Sequence, residues 1–306
     1  MVKYRIMKMS QSRRTSGHRN FWRLRAKERY FYIKIEGMLY PKKKARGKLI
    51  YDIIKGALTD MRITFSGTSH GFSEKNRFNP VTLAEVGGKL FVIDAGGPAD
   101  YFVVNSDKRI EDIKGVFITH MHSDHVNSLP QLLISFLGFH YNKDALVFMP
   151  DQDGIDGLKA WMNAMYEDDS RIASTLNFRV IAGGVIYKDE DLLVEAVPTR
   201  HLDAIGRPCY AFRFETGGKN VLFTGDLAPE YEDLEDVCGA YRYSLVVCDG
   251  SHGSLKKNFD KIAGINTERL IFTHVYEPCF EGYEELLSKL PFDASRAEDG
   301  ECVTIV

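Results

Sequence analysis

The stretch that decides the fold is Thr119-His120-Met121-His122-Ser123-Asp124-His125, an HxHxDH motif. It lies between an apolar run typical of a buried strand, Val116–Thr119, and a run with helical apolar spacing, Leu129–Leu137. Three imidazoles and one carboxylate in six positions are ligand types for zinc-like cations, and packing alone does not account for them. Side chains two positions apart in an extended segment point the same way, so the first two histidines can bind one ion. The turn that follows lets the aspartate and the third histidine face a second ion.

Three later polar residues each close an apolar, strand-like run. His201 ends the run PTRH, Asp226 ends FTGD and His274 ends IFTH. The carboxyl ends of strands are where α/β folds place their sites. Any one of these residues alone would more often be structural. Together with the HxHxDH motif, and in this order, they indicate one site.

Strand-like and helix-like runs alternate from residue 61 onward, which is typical of an α/β layered domain with its helices outside. No short internal repeat interrupts this pattern. The predicted strands are 62–66, 81–86, 90–93, 116–119, 192–197, 209–214, 221–224, 244–248, 269–273 and 302–306, and the predicted helices are 129–137, 155–165 and 230–238.

The net charge of −2 conceals two differently charged segments. Residues 1–60 contain 17 Lys and Arg against four acidic residues, a charge of +13, which leaves −15 on residues 61–306. We therefore predict a basic N-terminal extension over 1–60 and a folded domain over 61–306. The basic run Pro41–Arg46 and interleaved aromatics suit nucleic acid. A solvated, partly ordered extension is the simpler explanation, and a natural start at Met61 is a third.

Composition excludes several classes of protein. The 44% of hydrophobic and 27% of charged residues exclude wholesale disorder. No apolar run approaches the roughly 18–20 residues of a membrane span, and no secretory signal is evident, so we expect a cytoplasmic protein without a membrane partner. The five cysteines contain no CxxC pair, which favours a reduced chain without a cysteine-based zinc site.

The full motif set resembles the metallo-β-lactamase superfamily. The opening FSGTSHG at 65–71, with Arg77 and IDAG at 93–96, is similar to the ribonuclease Z-like branch. The resemblance covers about residues 62–306. It implies an αββα sandwich, an α/β fold, with the site at one edge.

The resemblance also implies two divalent metal ions, one bridging carboxylate and one carboxylate that orients the ligands from behind. Nitrogen and oxygen ligands suit zinc, our first choice, but also manganese and iron. The implied ligands are His120, His122 and His201 for one ion, Asp124, His125 and His274 for the other, Asp226 as the bridge, and Asp94 behind them.

Two ions roughly 3.5–4 Å apart would generate a hydroxide nucleophile and neutralise a phosphodiester oxygen. Asp124 is placed to take the proton of the water. His252 precedes His274 by 22 residues, which matches the spacing of the proton-donating histidine in the ribonuclease Z pattern. Asp249 lies where that pattern has a glutamate that orients this histidine. A solvated loop residue explains His252 equally well.

The substrate is harder to predict, since the superfamily hydrolyses β-lactams, lactones, thioesters, sulfate esters and phosphodiesters. A histidine at position 122 argues against the redox di-iron branch. Ribonuclease Z proteins insert a tRNA-gripping arm between the third-motif histidine and the TGD aspartate, but here only 25 residues separate His201 from Asp226. The acidic domain would also repel a large polyanion.

Relatives that lack the arm include phage-type phosphodiesterases that destroy cyclic pyrimidine mononucleotide signals. The resemblance thus favours a two-metal phosphodiesterase for a small, 3′,5′-cyclic nucleotide, acting as a homodimer. Its candidate substrate contacts, each equally well explained as structural, are Ser69, His70, Arg77 and Tyr276.

Three alternatives stay open. One is a ribonuclease Z-like RNA 3′-processing enzyme that grips RNA through residues 1–60. The others are a lactonase-type metallo-hydrolase and a non-catalytic binding scaffold, although the intact ligand set argues against a scaffold. The segment 139–180, with Trp161, Met162, Met165 and Tyr166, is either an interface or lid, or more simply an ordinary buried helix.

Overall fold

The computed structural model describes the backbone of 21–26 and 29–34, and all of 60–72, 74–138, 142–276, 280 and 282–306. Two compact units, 1–54 and 55–306, divide the chain. In the first, β1 (Phe21–Ala26) and β2 (Arg29–Lys34) pair antiparallel. The basic run at 41–46 lies outside the described residues, and the domain boundary at 60 stays a prediction.

The second unit contains fourteen strands in two seven-stranded sheets. In chain order they are β3 (Met61–Gly67), β4 (Val81–Val86), β5 (Lys89–Ile93), β6 (Ile113–Phe117), β7 (Leu146–Met149), β8 (Asn177–Val180), β9 (Gly184–Lys188), β10 (Leu193–Thr199), β11 (Cys209–Thr216), β12 (Lys219–Phe223), β13 (Leu245–Asp249), β14 (Arg269–Thr273), β15 (Asp293–Arg296) and β16 (Glu301–Ile305).

Each sheet is antiparallel on one side and parallel on the other. The first has the order β16-β3-β4-β5-β6-β7-β8 and becomes parallel from β5 onward. The second has the order β15-β14-β13-β12-β11-β10-β9 and is parallel from β12 to β15. Parallel neighbours need crossover connections, and these supply the helices.

The helices begin where the sequence provides caps and apolar spacing. Asp151, for example, caps the longest of them by accepting a hydrogen bond from Gly154 N at 2.6 Å. No described helix has the length and hydrophobicity that crossing a bilayer requires. The helices are α1 (Ala99–Val104), α2 (Ser123–Val126), α3 (Leu129–Leu137), α4 (Gln152–Ala164), α5 (Asp169–Thr175), α6 (Leu234–Cys238), α7 (Phe259–Ala263) and α8 (Glu284–Leu287).

Three apolar layers hold this unit together. In β6, Val116 packs toward the helices of the first sheet, while its neighbour Phe117 packs between the two sheets, as strand alternation requires. Phe117 stacks on Phe148 with ring centroids 4.8 Å apart. A third layer, which includes Tyr231 and Tyr243, lies between the second sheet and its helices. The predicted αββα sandwich is therefore confirmed.

The structure corrects two predicted elements. The strand expected at 116–119 is Ile113–Phe117, so Ile118 and Thr119 separate the end of the strand from the HxHxDH motif. The helix expected at 230–238 is α6, Leu234–Cys238, because Glu230 and Tyr231 both have φ of +53° and cannot continue a right-handed helix.

Candidate metal centre

The predicted site residues lie at the carboxyl ends of strands from both sheets, which meet along one edge of the sandwich. The strands β10 and β12 point the same way, since each is antiparallel to β11. The residues are Asp94 after β5, His120, His122, Asp124 and His125 after β6, His201 after β10, Asp226 after β12, Asp249 at the end of β13 and His274 after β14.

Asp94 holds the HxHxDH loop from behind. Its buried carboxylate accepts hydrogen bonds from Thr119 N at 2.8 Å and from Thr119 Oγ1 at 3.0 Å. It lies 2.8 Å from His125 Nδ1, which leaves Nε2 of that ring facing the centre. Gly96 allows the close approach, because a Cβ there would lie 1.5 Å from the carbonyl oxygen of Asp124. Asp94 itself has φ of +57°, a strained conformation of the kind found at functional sites.

The first group consists of His120, His122, His201 and Asp226. His122 Nδ1 lies 2.9 Å from His120 Nε2 and 3.3 Å from His201 Nε2. Asp226 Oδ2 lies 3.6 Å from the Nε2 atoms of both His120 and His201. A tetrahedral ion with ligands at about 2.0–2.2 Å separates its ligand atoms by roughly 3.3–3.6 Å. The four atoms can therefore surround one cation.

The second group consists of Asp124, His125 and His274. Asp124 Oδ2 lies 3.0 Å from His274 Nε2 and 3.4 Å from His125 Nε2. The other oxygen of Asp226, Oδ1, lies 3.3 Å from His125 Nε2. One carboxylate thus presents one oxygen to each group. This arrangement is compatible with the bridging role that the family resemblance implies for Asp226.

The electrostatics of the centre favour a positive charge. Burial lowers the pKa of His274, but the carboxylates of Asp226, Asp124 and Asp249 together outweigh it and raise the pKa to about 10. Burial raises the pKa of Asp124, but the imidazoles of His125 and His274 reverse this and lower it.

A buried polar atom in the centre also calls for a ligand. Nε2 of His125 is buried and hydrogen-bonds to no described residue. An orphaned imidazole nitrogen that faces two carboxylates fits a metal ligand better than a packing residue. The donor types, their separations and this free nitrogen all fit a pair of divalent cations.

His252 and Asp249 form a pair beside the two groups above, and with Asp226 and His274 they make a third set of possible ligands. His252 Nδ1 lies 2.8 Å from Asp249 Oδ2, and His252 Nε2 lies 3.8 Å from Asp226 Oδ2. Burial lowers the pKa of His252, but the charge and hydrogen bond of Asp249, together with the charge of Asp226, outweigh it and raise the pKa overall. The raised pKa favours the protonated imidazole, and its outer nitrogen, Nε2, faces the centre.

Ser251 also lies in this site, although it was not among the residues predicted from the sequence. Its Oγ lies 2.7 Å from His274 Nδ1, 3.1 Å from His252 Nδ1 and 3.2 Å from Asp249 Oδ1. It links the predicted ligand to the predicted proton donor. Its position directly before His252 in the run CDGSH was the available signal, although serine in a turn is too common to single out.

The predicted substrate contacts divide into two pairs. Ser69 Oγ donates to Glu74 at 2.9 Å, and Arg77 donates to Val275 O at 2.9 Å and Thr68 O at 2.6 Å. These bonds tie the loop after β3 to the segment after β14.

His70 and Tyr276 form the other pair, with ring centroids 4.5 Å apart, and 41% of Tyr276 is exposed. A Cβ at the neighbouring Gly71 would lie 3.7 Å from Asp124 Oδ2, so this loop borders the second group. Substrate contact by any of the four stays a prediction.

Comparison with known proteins identifies the family. The sequence profile described as "Anti-Pycsar protein Apyc1" matches residues 61–294, more than half of the chain. The chain belongs to this family. The match excludes residues 1–60 and includes every predicted metal ligand of this Apyc1-family chain. The resemblance to the metallo-β-lactamase superfamily and its ribonuclease Z-like branch is confirmed.

Relatives of this Apyc1-family chain include the ribonuclease Z of Synechococcus sp. (strain CC9311), 32% identical over 180 residues, which are 56% of this chain and 54% of the relative. The chain spans about half the length of the curated relatives matched first.

Two solved structures share its fold. The metallo-β-lactamase fold protein YhfI of Bacillus subtilis has a TM-score of 0.64, with 16% identity, over 80% of this chain and 100% of its own. The short form of human tRNase Z has a TM-score of 0.60, with 16% identity, over 80% of this chain and 99% of its own.

Proposed function

We propose that this chain is a two-metal phosphodiesterase that hydrolyses a small, 3′,5′-cyclic nucleotide. The observation that carries the proposal is the carboxylate of Asp226, which turns Oδ2 toward one group of imidazoles and Oδ1 toward the other. The His252–Asp249 pair beside it supplies a proton donor. Membership of a family described as an anti-Pycsar protein supports a nucleotide substrate over a lactone.

The residues have separate roles in this proposal. Seven of them would hold two divalent cations, which, when bound, supply a deprotonated water and neutralise the phosphodiester charge. Asp124 accepts the proton of the water, since its Oδ2 faces the centre. His252 donates the proton that the leaving oxygen requires, and Asp249 holds that imidazole in place.

A small substrate suits the edge of the sandwich. The interval between His201 and Asp226 contains a single turn of 3₁₀ helix at Asp203–Ile205 and the hairpin β11–β12. All of these residues are described, and none forms a protruding arm. This segment therefore offers no grip for a folded RNA, which favours a small substrate.

The test is a panel of cyclic mononucleotides, cyclic dinucleotides, precursor tRNA and an acyl lactone, assayed with zinc and with manganese. We expect cleavage of at least one cyclic mononucleotide, and loss of that cleavage in His120→Ala. If metal-loaded protein cleaves no phosphodiester of any size, and His120→Ala changes nothing, the proposal fails.

The second candidate function is RNA 3′-processing, which the ribonuclease Z relatives favour. In that case precursor tRNA would be the preferred member of the panel, and deletion of residues 1–60 would abolish its cleavage. A small chromogenic phosphodiester should still be cleaved by the truncated chain. Zinc as the resident metal, a homodimer and a cytoplasmic location stay predictions.

A further inference from the structure

A cavity of about 510 Å³ opens beside the metal centre, between α4 and the segment that follows His201. Small-molecule sites typically occupy about 300–1,000 Å³. Its lining includes His122, a predicted ligand, and Met121, which lies between two predicted ligands in the chain. A molecule bound to the metal centre can therefore extend directly into this cavity.

The helix that forms one wall of the cavity, α4, contains a glycine that lowers its stability. Gly157 lines the cavity in the middle of α4, where glycine is less favourable than alanine. A Cβ at this position would meet nothing within 4 Å. Packing does not require this glycine, and the missing side chain keeps the cavity wide.

The rim is apolar and flat on one side and charged on the other. Trp161, one turn after Gly157, and Ile205 on the opposite segment are 64% and 66% exposed. Arg207 crosses the mouth and contacts Asp153 at 2.6 Å and Asp151 at 3.6 Å. An exposed indole can stack on a planar ring, and the neighbouring charged groups can hydrogen-bond to polar groups at the edge of that ring.

We infer that this cavity binds the base of the nucleotide whose phosphodiester lies on the metal centre, with Trp161 as the stacking surface. The inference rests on the proposed function, since it assigns a place to the base of that substrate. Arg207 and the two carboxylates face the edge of the base, where its amino and carbonyl groups lie.

Binding is measured first, with the full-length, metal-loaded chain. The chain contains two tryptophans, Trp22 and Trp161, so Trp161→Phe provides the fluorescence blank. Nucleoside monophosphates should quench the wild-type emission, and ribose 5-phosphate should not. Absence of quenching up to millimolar nucleotide overturns the inference, whether or not the chain hydrolyses cyclic nucleotides.

Kinetics then separate the base from the phosphodiester. Each variant is assayed on a 3′,5′-cyclic nucleotide and on methyl riboside 3,5-cyclic phosphate, which lacks the base. Gly157→Leu, which fills the cavity, and Trp161→Ala should lower kcat/KM for the nucleotide about tenfold or more and leave the base-free compound unchanged. Trp161→Phe should restore most of the loss. Ala160→Leu is the matched control, because it adds the same side chain to an exposed position of α4 that does not line the cavity.

The outcomes are distinguishable. If cyclic nucleotides are cleaved but Gly157→Leu acts like Ala160→Leu, the base does not bind here and the proposed function survives. If nucleoside monophosphates quench Trp161 but no cyclic nucleotide is cleaved, the cavity inference survives and the proposed function fails. If Trp161→Ala instead changes the molecular mass in light scattering and leaves kcat/KM unchanged, a second copy covers the cavity and the inference is overturned.

Discussion

At the scale of single residues, Asp226 is the most consequential side chain of the centre. Its two oxygens serve the two groups, so Asp226→Ala should empty both positions at once. Removing a residue that merely orients a ligand typically costs about 10–100-fold in metal affinity or activity, and removing this ligand should cost more. Metal content by mass spectrometry and phosphodiesterase rate measure the two effects. Asp203→Asn, an exposed carboxylate on the nearby 3₁₀ turn, should leave both unchanged.

His252 makes a different prediction, because it faces the centre without belonging to the two proposed ligand sets. His252→Ala should keep the metal content of the wild type and lower kcat for a cyclic nucleotide by about 10²–10⁴-fold. A substrate whose leaving group is 4-nitrophenolate needs little protonation, so its kcat should fall much less. Equal losses on both substrates would contradict the role of a proton donor.

At the scale of the elements, the structure brings the predicted site residues together at one edge, but several of its strands are missing from the sequence prediction. The proposed ligands could be singled out because the HxHxDH motif and the later His201, Asp226 and His274 each follow an apolar run. The strands β8 and β9 could not, since both are largely exposed edge-side strands without a buried alternation. The strand β15, with the sequence DASR, has almost no apolar residue and is defined by its parallel pairing with β14.

The sequence shows which residues are present but not which contacts they make, as Ser251 and the predicted substrate contacts illustrate. The contacts of Ser251 join residues from two different strand ends, and such a meeting depends on the tertiary structure. Conversely, Arg77 occurs in a motif, yet the structure surrounds its guanidinium with carbonyl groups. A motif fixes which residues are present, whereas the direction of a long side chain is set by its neighbours.

The packing between the two sheets gives a prediction for β6. Phe117 is fully buried and stacks on Phe148, and it anchors the strand that leads into the HxHxDH motif. Phe117→Ala should lower the free energy of unfolding by about 3–5 kcal/mol, measured by urea denaturation. Val180→Ala, at a half-exposed position in β8, should change it by less than about 0.5 kcal/mol. A similar small change for Phe117→Ala would mean that the sheets do not depend on this contact.

At the scale of the whole molecule, charge and chemistry lie in different parts of the chain. Every proposed catalytic and metal-binding residue falls between Asp94 and His274, within residues 61–306, which carry a net charge of −15. We therefore expect the +13 charge of residues 1–60 to have no part in the proposed cleavage of a small nucleotide. We expect it instead to add affinity for a larger and more negatively charged partner.

Deletion of residues 1–60 tests this separation. The truncated chain begins at β3 and retains all three apolar layers, so its metal content and its kcat/KM for a cyclic nucleotide should equal those of the full chain. Its affinity for single-stranded RNA, measured by fluorescence anisotropy, should fall sharply, and the dependence of that affinity on salt should weaken because fewer cations contact phosphates. If cleavage of the cyclic nucleotide were lost together with RNA binding, while the metal content was retained, the basic segment would be part of the active site. Charge and chemistry would then have to be joined in one mechanism, which would favour the RNA-processing function.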